Sequence, residues 1–210
     1  MKTLFTVGHS SLDFPQFARL LEEARVGLLV DVRSRPYSGR FPQFSQPGFE
    51  KLLKDRGISY LFLGEELGGR PDDPDVYRSS GVVDYRSRRR SYAFQAGLER
   101  VSRELELRNL ALMCAEEDPL ECHRFLMICP ELVKLDIRPV HIRKDSAVEL
   151  QESAENRLLE MRGFGGVTGN TLFPEARAEA LEAALSLQAE RFAFRVDPAS
   201  VDPALRDSSG

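Results

Sequence analysis

The sequence predicts an α/β protein: a Rossmann-like three-layer fold with a five-stranded parallel sheet and a helical C-terminal extension. Across the first 145 residues, short apolar runs alternate with segments of helical periodicity, a pattern typical of parallel βαβ units. From residue 148 onwards the composition is helical instead. We therefore expect an α/β domain over residues 1–150 and a helical extension over residues 151–210.

Five short apolar runs are the predicted strands, and glycine or polar residues follow each of them. Apolar side chains three or four positions apart predict the connecting helices, after Asp13, around Phe49 and over Tyr92–Leu107. The predicted strands are Thr3–Val7, Leu28–Val32, Ile58–Leu63, Leu110–Met113 and Ile137–Ile142.

A further helix is predicted to start at Asp118, with Asp as N-cap and proline in the first turn. Pro130 should kink or divide this helix. The stretch 64–91 reads as a long irregular loop, and loops of that length in a domain are usually functional or mobile.

The C-terminal extension is predicted to contain two helices, Val148–Arg162 and Pro174–Glu190. The glycine-rich segment 163–169 between them follows a helix. A phosphate-binding glycine loop would follow a strand, so we interpret this one mainly as a hinge. Residues 196–210 are rich in proline, serine and aspartate and should be frayed.

Composition excludes several classes of protein. Hydrophobic residues make up 42% of the 210 residues and charged residues 30%, which is enough apolar material for a core. No apolar run approaches the ~18–20 residues of a membrane span. The N-terminus has no signal-peptide pattern, and the chain has three cysteines, an odd number. These features predict a cytoplasmic protein with free thiols.

The charge is unevenly distributed along the chain. Residues 1–150 carry 23 basic and 23 acidic side chains, and the remaining 6 basic and 10 acidic ones account for the net charge of −4. Positive charge gathers at 33–40 and 78–90. A polyanionic partner, such as a nucleotide or nucleic acid, is therefore compatible with the acidic total.

Polar side chains follow several of the predicted strands. Because the carboxyl ends of parallel strands meet at one edge of a sheet, these side chains should form a joint site there. Cys114 is a candidate nucleophile, and Glu116, on the same side of the strand end, is a candidate general acid–base. His123 and Arg124 follow in the next helix, His123 as a further candidate catalytic residue and Arg124 as a candidate substrate-binding one.

The thiols also allow other interpretations. Cys122 and Cys129 share a helical stripe with Phe125, as small buried core residues would. A zinc site is a further alternative, but the spacing between Cys114 and Cys122 is not that of a zinc knuckle. Adjacent side chains such as Cys122 and His123 also point about 100° apart on a helix. We therefore assign no metal ligand, and the cofactor stays unknown.

Two other strand ends carry candidate residues. His9 can act as acid or base near neutral pH, and Ser10 can contact substrate or cap the next helix. Asp31 and Arg33 lie on the same side of their strand end, where they either lock the loop or bind a substrate anion. Arg35, in the loop, is free to contact a ligand.

An arginine-rich segment lies in the predicted irregular stretch. Arginines interleaved with tyrosines suit phosphate contacts and base stacking, although a solvated charged loop has the same pattern. The candidate nucleic-acid-binding residues are Arg78, Arg86, Arg88, Arg89 and Arg90.

Several of these motifs together resemble the domain of unknown function 488 family, over about residues 3–145. The resemblance rests on the motifs at 6–10, 29–36, 64–69 and 113–124, which occur in the right order. It implies a small cytoplasmic α/β domain, and it supports the polar residues as a joint site without naming a reaction. The pattern Asp31-Val32-Arg33 alone also looks like a rhodanese strand, but the matching active-site loop is absent.

We therefore favour an enzyme, a hydrolase or transferase, that acts on a phosphate-bearing substrate such as a nucleotide or nucleic acid. Its site would combine cysteine, glutamate, histidine and arginine at the carboxyl edge of the sheet. The alternatives are a non-catalytic nucleic-acid-binding module that uses the arginine-rich loop, and a zinc-binding protein. The reaction and the oligomeric state do not follow from the sequence.

Overall fold

A six-stranded sheet lies at the centre of the protein in this computed structural model, which describes residues 2–168 and 174–196. The strand order is β3-β2-β4-β1-β5-β6. The first five strands in this order are parallel, and β6 pairs antiparallel with β5. The strands are β1 (Lys2–Gly8), β2 (Leu28–Asp31), β3 (Ser59–Phe62), β4 (Leu110–Cys114), β5 (Ile137–Ile142) and β6 (Val148–Leu150).

The mixed α/β class is confirmed, and the prediction of a purely parallel five-stranded sheet needs correction. Val148–Leu150 was expected to begin a helix but forms β6, because a tight turn closed by the bond from Arg143 N–H to the Ala147 carbonyl returns the chain to β5. The Rossmann-like topology is matched only roughly. Here β4 lies between β1 and β2, whereas those two strands are neighbours in the usual Rossmann order.

Helices cover both faces of the sheet. None of the helices in the described residues is long and apolar enough to cross a membrane. They are α1 (Phe14–Glu23), α2 (Gly48–Lys54), α3 (Gly64–Leu67), α4 (Tyr85–Arg90), α5 (Tyr92–Leu107), α6 (Cys129–Lys134), α7 (Gln151–Met161) and α8 (Pro174–Phe192). A π-helix spans Arg124–Ile128, and short 3-10 helices occur at Pro42–Phe44, Pro74–Val76, Pro119–Glu121 and Gly165–Val167.

The stretch 64–91 is more ordered than the sequence indicated. It contains α3 and α4, and the Asp84 carboxylate caps α4 by accepting from the backbone N–H of Arg86. The arginine-rich segment is therefore a short helix. The α-helix expected from Asp118 is also absent: a 3-10 turn, the π-helix and α6 follow one another, and Pro130 lies in the first turn of α6.

Two buried clusters fill the space above and below the sheet. Helices α1 and α2 contribute Phe17 and Phe49 to one cluster. Helix α5 and the C-terminal helices contribute to the other, where Leu158 of α7 and Leu185 of α8 join Leu112 of the sheet. Beyond α8, Val82 and Arg195 form an isolated antiparallel bridge. The glycine-rich segment contains a 3-10 helix up to residue 167, and residues 169–173 and 197–210, including the expected frayed C-terminus, lie outside the described residues.

Candidate functional site

Four chemically reactive side chains meet at the carboxyl end of β4. Cys114, Glu116, Cys122 and His123 each offer one ligand atom, and these atoms all lie within 4.8 Å of one another. The Cys114 Sγ is 3.0 Å from the Glu116 Oε2 and 3.7 Å from the His123 Nδ1. The Cys122 Sγ is 3.8 Å from the same nitrogen. Sequence analysis assigned three of these residues to a catalytic group, and the structure brings all four together. We call them the thiol–imidazole cluster.

The local backbone explains how adjacent residues reach the same point. Cys122 ends the 3-10 turn in an extended conformation, with φ −128° and ψ 141°, whereas His123 is helical. The turn itself is held by the Asp118 carboxylate, which accepts from the Leu120 N–H at 2.9 Å. The objection that Cys122 and His123 point about 100° apart applies only to a continuous helix, so it does not hold here.

The His123 ring is held in one orientation. Its Nε2 lies 2.9 Å from the Val32 carbonyl oxygen, to which a protonated Nε2 donates. In the neutral ring this leaves Nδ1 unprotonated and directed at both sulfurs. The other side of the ring touches Gly69, where an added Cβ would come within 3.0 Å of the His123 Cγ. A side chain at Gly69 would therefore displace the imidazole.

The cluster favours one thiolate and one thiol. Burial, reinforced by the neighbouring Cys122, raises the pKa of Cys114 well above its ordinary value. Burial also opposes ionisation of Cys122, but the hydrogen bond from Cys114 and the positive charge of Arg124 lower the pKa of Cys122 well below its ordinary value. Desolvation of Glu116 and the nearby Cys122 raise the pKa of that carboxyl group. Of the two cysteines, Cys122 is thus the better thiolate.

Arg124 binds the backbone next to the thiol–imidazole cluster. Its guanidinium is buried and donates to the carbonyl oxygens of Glu116 at 2.6 Å and Glu117 at 2.9 Å. Its backbone N–H points at the Cys122 sulfur at 3.4 Å. Arg124 was predicted to bind substrate, and this geometry instead positions the 115–117 loop and supplies positive charge next to the thiols.

Only one of the three consecutive carboxylates faces the cluster. Glu117 pairs with Arg143 at 2.8 Å, and Asp118 binds both terminal nitrogens of Arg157 at 2.8 Å. Glu149 bridges the two arginines. Arginines therefore neutralise two of the three carboxylates, which reduces the repulsion that the acidic run would exert on a bound anion.

A cavity of about 290 Å³ opens beside the cluster. Cys114, Glu116 and His123 are among the residues that line it. Two exposed arginines, Arg35 and Arg70, also line the cavity, and neither forms an ion pair within the described residues. The remaining lining residues are Arg33, Ser34, Tyr37, Gly69, Tyr85, Ala115, Glu121, Phe192 and Phe194.

Asp31 and Arg33 form a buried pair at the end of β2. The Arg33 Nη2 donates to Asp31 at 2.6 Å and to the Phe44 carbonyl at 2.8 Å, and the Tyr60 hydroxyl donates to Asp31 at 2.8 Å. Of the two open alternatives, this geometry favours locking the loop, although Arg33 still lines the cavity.

His9 lies behind this pair. Its ring stacks on Phe44 at 4.4 Å, its Nδ1 donates to the Ser10 carbonyl, and its Nε2 accepts from Arg33 at 3.4 Å. Burial and the Arg33 charge lower the pKa of His9 to about 4. The N–H of Ser10 donates to the Ala115 carbonyl. Neither His9 nor Ser10 is among the described lining residues of the cavity. Both contact the chain next to the cluster through their backbone N–H groups, which donate to the Cys114 and Ala115 carbonyls.

The arginines of α4 differ in environment. Arg88 is buried and donates to the carbonyl oxygens of Glu65 and Glu66, and Arg89 is buried against the Leu126 carbonyl. Arg78, outside the helix, is exposed but pairs with acidic side chains. The other two predicted nucleic-acid contacts, Arg86 and Arg90, are exposed. Arg88 and Arg89 therefore bind backbone carbonyls inside the protein, and only the other arginines of the segment are exposed as in a solvated loop.

Sequence reasoning missed Arg70, Gly69, Phe192 and Phe194. Gly69 is the last residue of the motif at 64–69, and Arg70 follows it. The Ser34 hydroxyl accepts from the Arg70 N–H at 2.8 Å, which brings both residues to the end of β2. That contact has no signature in local periodicity. The two phenylalanines lie far along the chain, in the segment interpreted as an accessory extension.

Together, the fold and the cluster define an α/β protein with a thiol, imidazole and carboxylate site at the carboxyl edge of its sheet. The chain belongs to the family described as "Domain of unknown function DUF488", whose model matches residues 13–128. A comparison with curated protein sequences returned no match.

Among solved structures, the chain is similar to a Shewanella putrefaciens protein described as "Putative phosphatase (DUF442)". The identity is 11%, the TM-score is 0.36, and the match covers 92% of this chain and 89% of the other. A likeness this distant says nothing about activity.

Proposed function

We propose that the protein is a zinc-dependent hydrolase that acts on a phosphate-bearing substrate in the cavity beside the thiol–imidazole cluster. One observation carries the proposal: two sulfurs, one imidazole nitrogen and one carboxylate oxygen lie within 4.8 Å of one another. Thiolate, imidazole and carboxylate are the ligands that zinc prefers in proteins.

The spacing of the donor atoms fits a tetrahedral ion. Zinc binds sulfur at ~2.3 Å and nitrogen at ~2.0–2.1 Å, so a tetrahedral angle separates the two donors by about 3.5 Å. The His123 Nδ1 lies 3.7 Å from Cys114 and 3.8 Å from Cys122. The bond from Nε2 to the Val32 carbonyl is the outer contact that orients zinc-binding histidines.

Cys114, Cys122 and His123 would be the permanent ligands, and Glu116 lines the cavity next to them. Three protein ligands with an exchangeable fourth position are typical of catalytic zinc sites. Zinc in such a site polarises a phosphoryl oxygen and activates water. In this proposal Glu116 would accept the proton of the attacking water, and Arg35 and Arg70 would hold the phosphate.

Metal analysis tests this proposal. We expect the purified full chain to contain about one zinc ion, and Cys122→Ser to lose it because a hydroxyl is a poor zinc ligand. Cys129→Ser is the matched control, since Cys129 is equally buried but outside the cluster. Circular dichroism verifies that each variant is folded. A folded protein that takes up no zinc, or a Cys122→Ser variant that retains it, would refute the proposal.

A metal-free thiol enzyme is the second candidate. It is favoured by the lowered pKa of Cys122, with Arg124 next to the sulfur. In that case Cys122, rather than the predicted Cys114, would be the nucleophile. Chelator-treated protein would then keep its phosphatase activity, whereas a zinc enzyme would lose it. Alkylation of Cys122 should abolish activity in both cases, because this thiol is a zinc ligand in the first and the nucleophile in the second.

A further inference from the structure

The last residue of α8 and the chain just beyond it form part of the cavity wall. Phe192 is the last residue of α8, and Phe194 follows it. The Phe194 carbonyl accepts from the Val83 N–H at 3.0 Å, and the Val196 N–H donates to the Gly81 carbonyl at 2.9 Å. These backbone bonds hold both phenylalanines against the cavity, outside the residues that the family model matches.

Gly81 permits this approach. Its φ is +75°, in the left-handed region, and a Cβ at this position would lie 3.1 Å from the Val196 carbonyl oxygen. The segment after α8 is thereby attached to the chain that precedes α4.

The aromatic wall carries a positive charge at its edge. The Arg70 guanidinium lies over the Phe194 ring, 4.8 Å from its centroid. The contact between Arg70 N–H and the Ser34 hydroxyl brings this arginine next to the loop that carries Arg35. The cavity therefore offers two guanidinium groups that form no ion pair among the described residues, together with the half-buried rings of Phe192 and Phe194.

We propose that the cavity binds a mononucleotide, with its phosphate on Arg35 and Arg70 and its base against Phe192 and Phe194. This proposal rests on the proposed function in taking the cavity as the substrate site, and it names the substrate class. Guanidinium groups bind phosphate through paired hydrogen bonds, and aromatic rings stack on any base. The volume of about 290 Å³ lies just below the ~300–1,000 Å³ that is usual for ligand pockets, so it suits a ligand no larger than one nucleotide.

Two ligands that differ only in the base test this assignment. We would titrate the zinc-supplemented full chain in a calorimeter with non-hydrolysable phosphonate analogues of AMP and of ribose 5-phosphate. We expect the base-bearing analogue to bind about tenfold more tightly, which lies within the roughly 5- to 150-fold that stacking on an aromatic side chain contributes. Adenosine, which lacks the anion, should bind more weakly than the AMP analogue.

Substitutions test whether Phe192 and Phe194 cause the tighter binding of the base-bearing analogue. Phe194→Leu should reduce the affinity for the AMP analogue about tenfold, and that for the ribose analogue by clearly less, because Arg70 also loses the ring that it lies over. Arg70→Gln should weaken the binding of both. Tyr92→Leu is the matched control, because Tyr92 is 90% exposed and outside the cavity, and it should change neither. Phe192→Leu is a second wall variant should Phe194→Leu not fold.

Equal affinities for the two analogues, no binding of either, or a base preference that survives in both wall variants would overturn the assignment. Zinc content measured on the same samples separates this result from the proposed function. A zinc-containing protein without a base preference overturns the mononucleotide assignment alone. A base preference in protein that takes up no zinc supports the mononucleotide and refutes the zinc enzyme.

Discussion

His141 shows what burial does to a single titratable residue. It is fully buried in β5, where its Nδ1 accepts from the Thr6 hydroxyl at 2.8 Å and its Nε2 donates to the Gln151 side-chain oxygen at 3.0 Å. These two contacts satisfy both nitrogens of the neutral ring. Burial and the charge of Arg124 lower the pKa of His141 to about 3.

Because the folded protein keeps His141 neutral, the free energy of unfolding should decrease as the pH is lowered. Below the unfolded pKa of about 6.5, the unfolded chain binds a proton that the folded chain excludes until about pH 3. The free energy of unfolding then decreases by about 1.4 kcal/mol per pH unit in this window. In urea denaturation at pH 7 and pH 5, we expect the wild type to lose about 2 kcal/mol more than His141→Gln. Equal losses in the two proteins would contradict this account.

At the scale of elements, α8 supports the turn that carries the candidate site. Gln188 is buried on this helix, and its side-chain nitrogen donates to the Leu120 carbonyl at 2.7 Å, in the 3-10 turn just before Cys122. Its oxygen accepts from Arg162 at 2.9 Å. One side chain thus joins α8, the end of α7 and the turn.

We expect Gln188→Leu to lower the free energy of unfolding by about 1–3 kcal/mol, because it leaves a buried carbonyl and a guanidinium without their partner. Chemical denaturation measures this change. Glu179→Leu, at an exposed position on the same helix, should alter the stability by no more than ~0.5 kcal/mol. Similar effects of the two substitutions would show that the contact with the turn contributes nothing.

The elements that local patterns predicted best are the five parallel strands. Their apolar runs are continuous because helices cover both faces of the sheet. The prediction failed where a contact distant in sequence decides the conformation. Leu150, which the sequence predicted to be helical, pairs with Val140 of β5. The 3-10 turn before Cys122 is held by side chains of α7 and α8.

At the scale of the whole molecule, a bound metal would join separate parts of the chain. Cys114 ends a strand, Cys122 and His123 follow a turn supported by α8, and His123 is oriented by the carbonyl of Val32 after β2. Binding to the folded state alone stabilises it by mass action.

The free energy of unfolding should therefore depend on free zinc. With zinc at 100 times its dissociation constant, we expect an increase of about 2.7 kcal/mol over chelator-treated protein. Urea denaturation in zinc-buffered solutions measures this change. Cys122→Ser should show no such dependence, whereas Cys129→Ser should behave as the wild type. A stability independent of zinc in the wild type would contradict metal binding by the thiol–imidazole cluster.

The sequence by itself determined the α/β class, the strand segments of the parallel sheet and three members of the thiol–imidazole cluster as catalytic candidates. Apolar periodicity reports which residues are buried, and polar residues after parallel strands meet at one edge, so both follow from local patterns. Only the tertiary structure decided that Cys122 joins the cluster, that Arg88, Arg89 and Arg124 support the protein from inside, and that Phe192 and Phe194 line the cavity. These roles depend on contacts between segments far apart in sequence, because the direction of a side chain follows from the backbone turn that carries it and the partners that it meets.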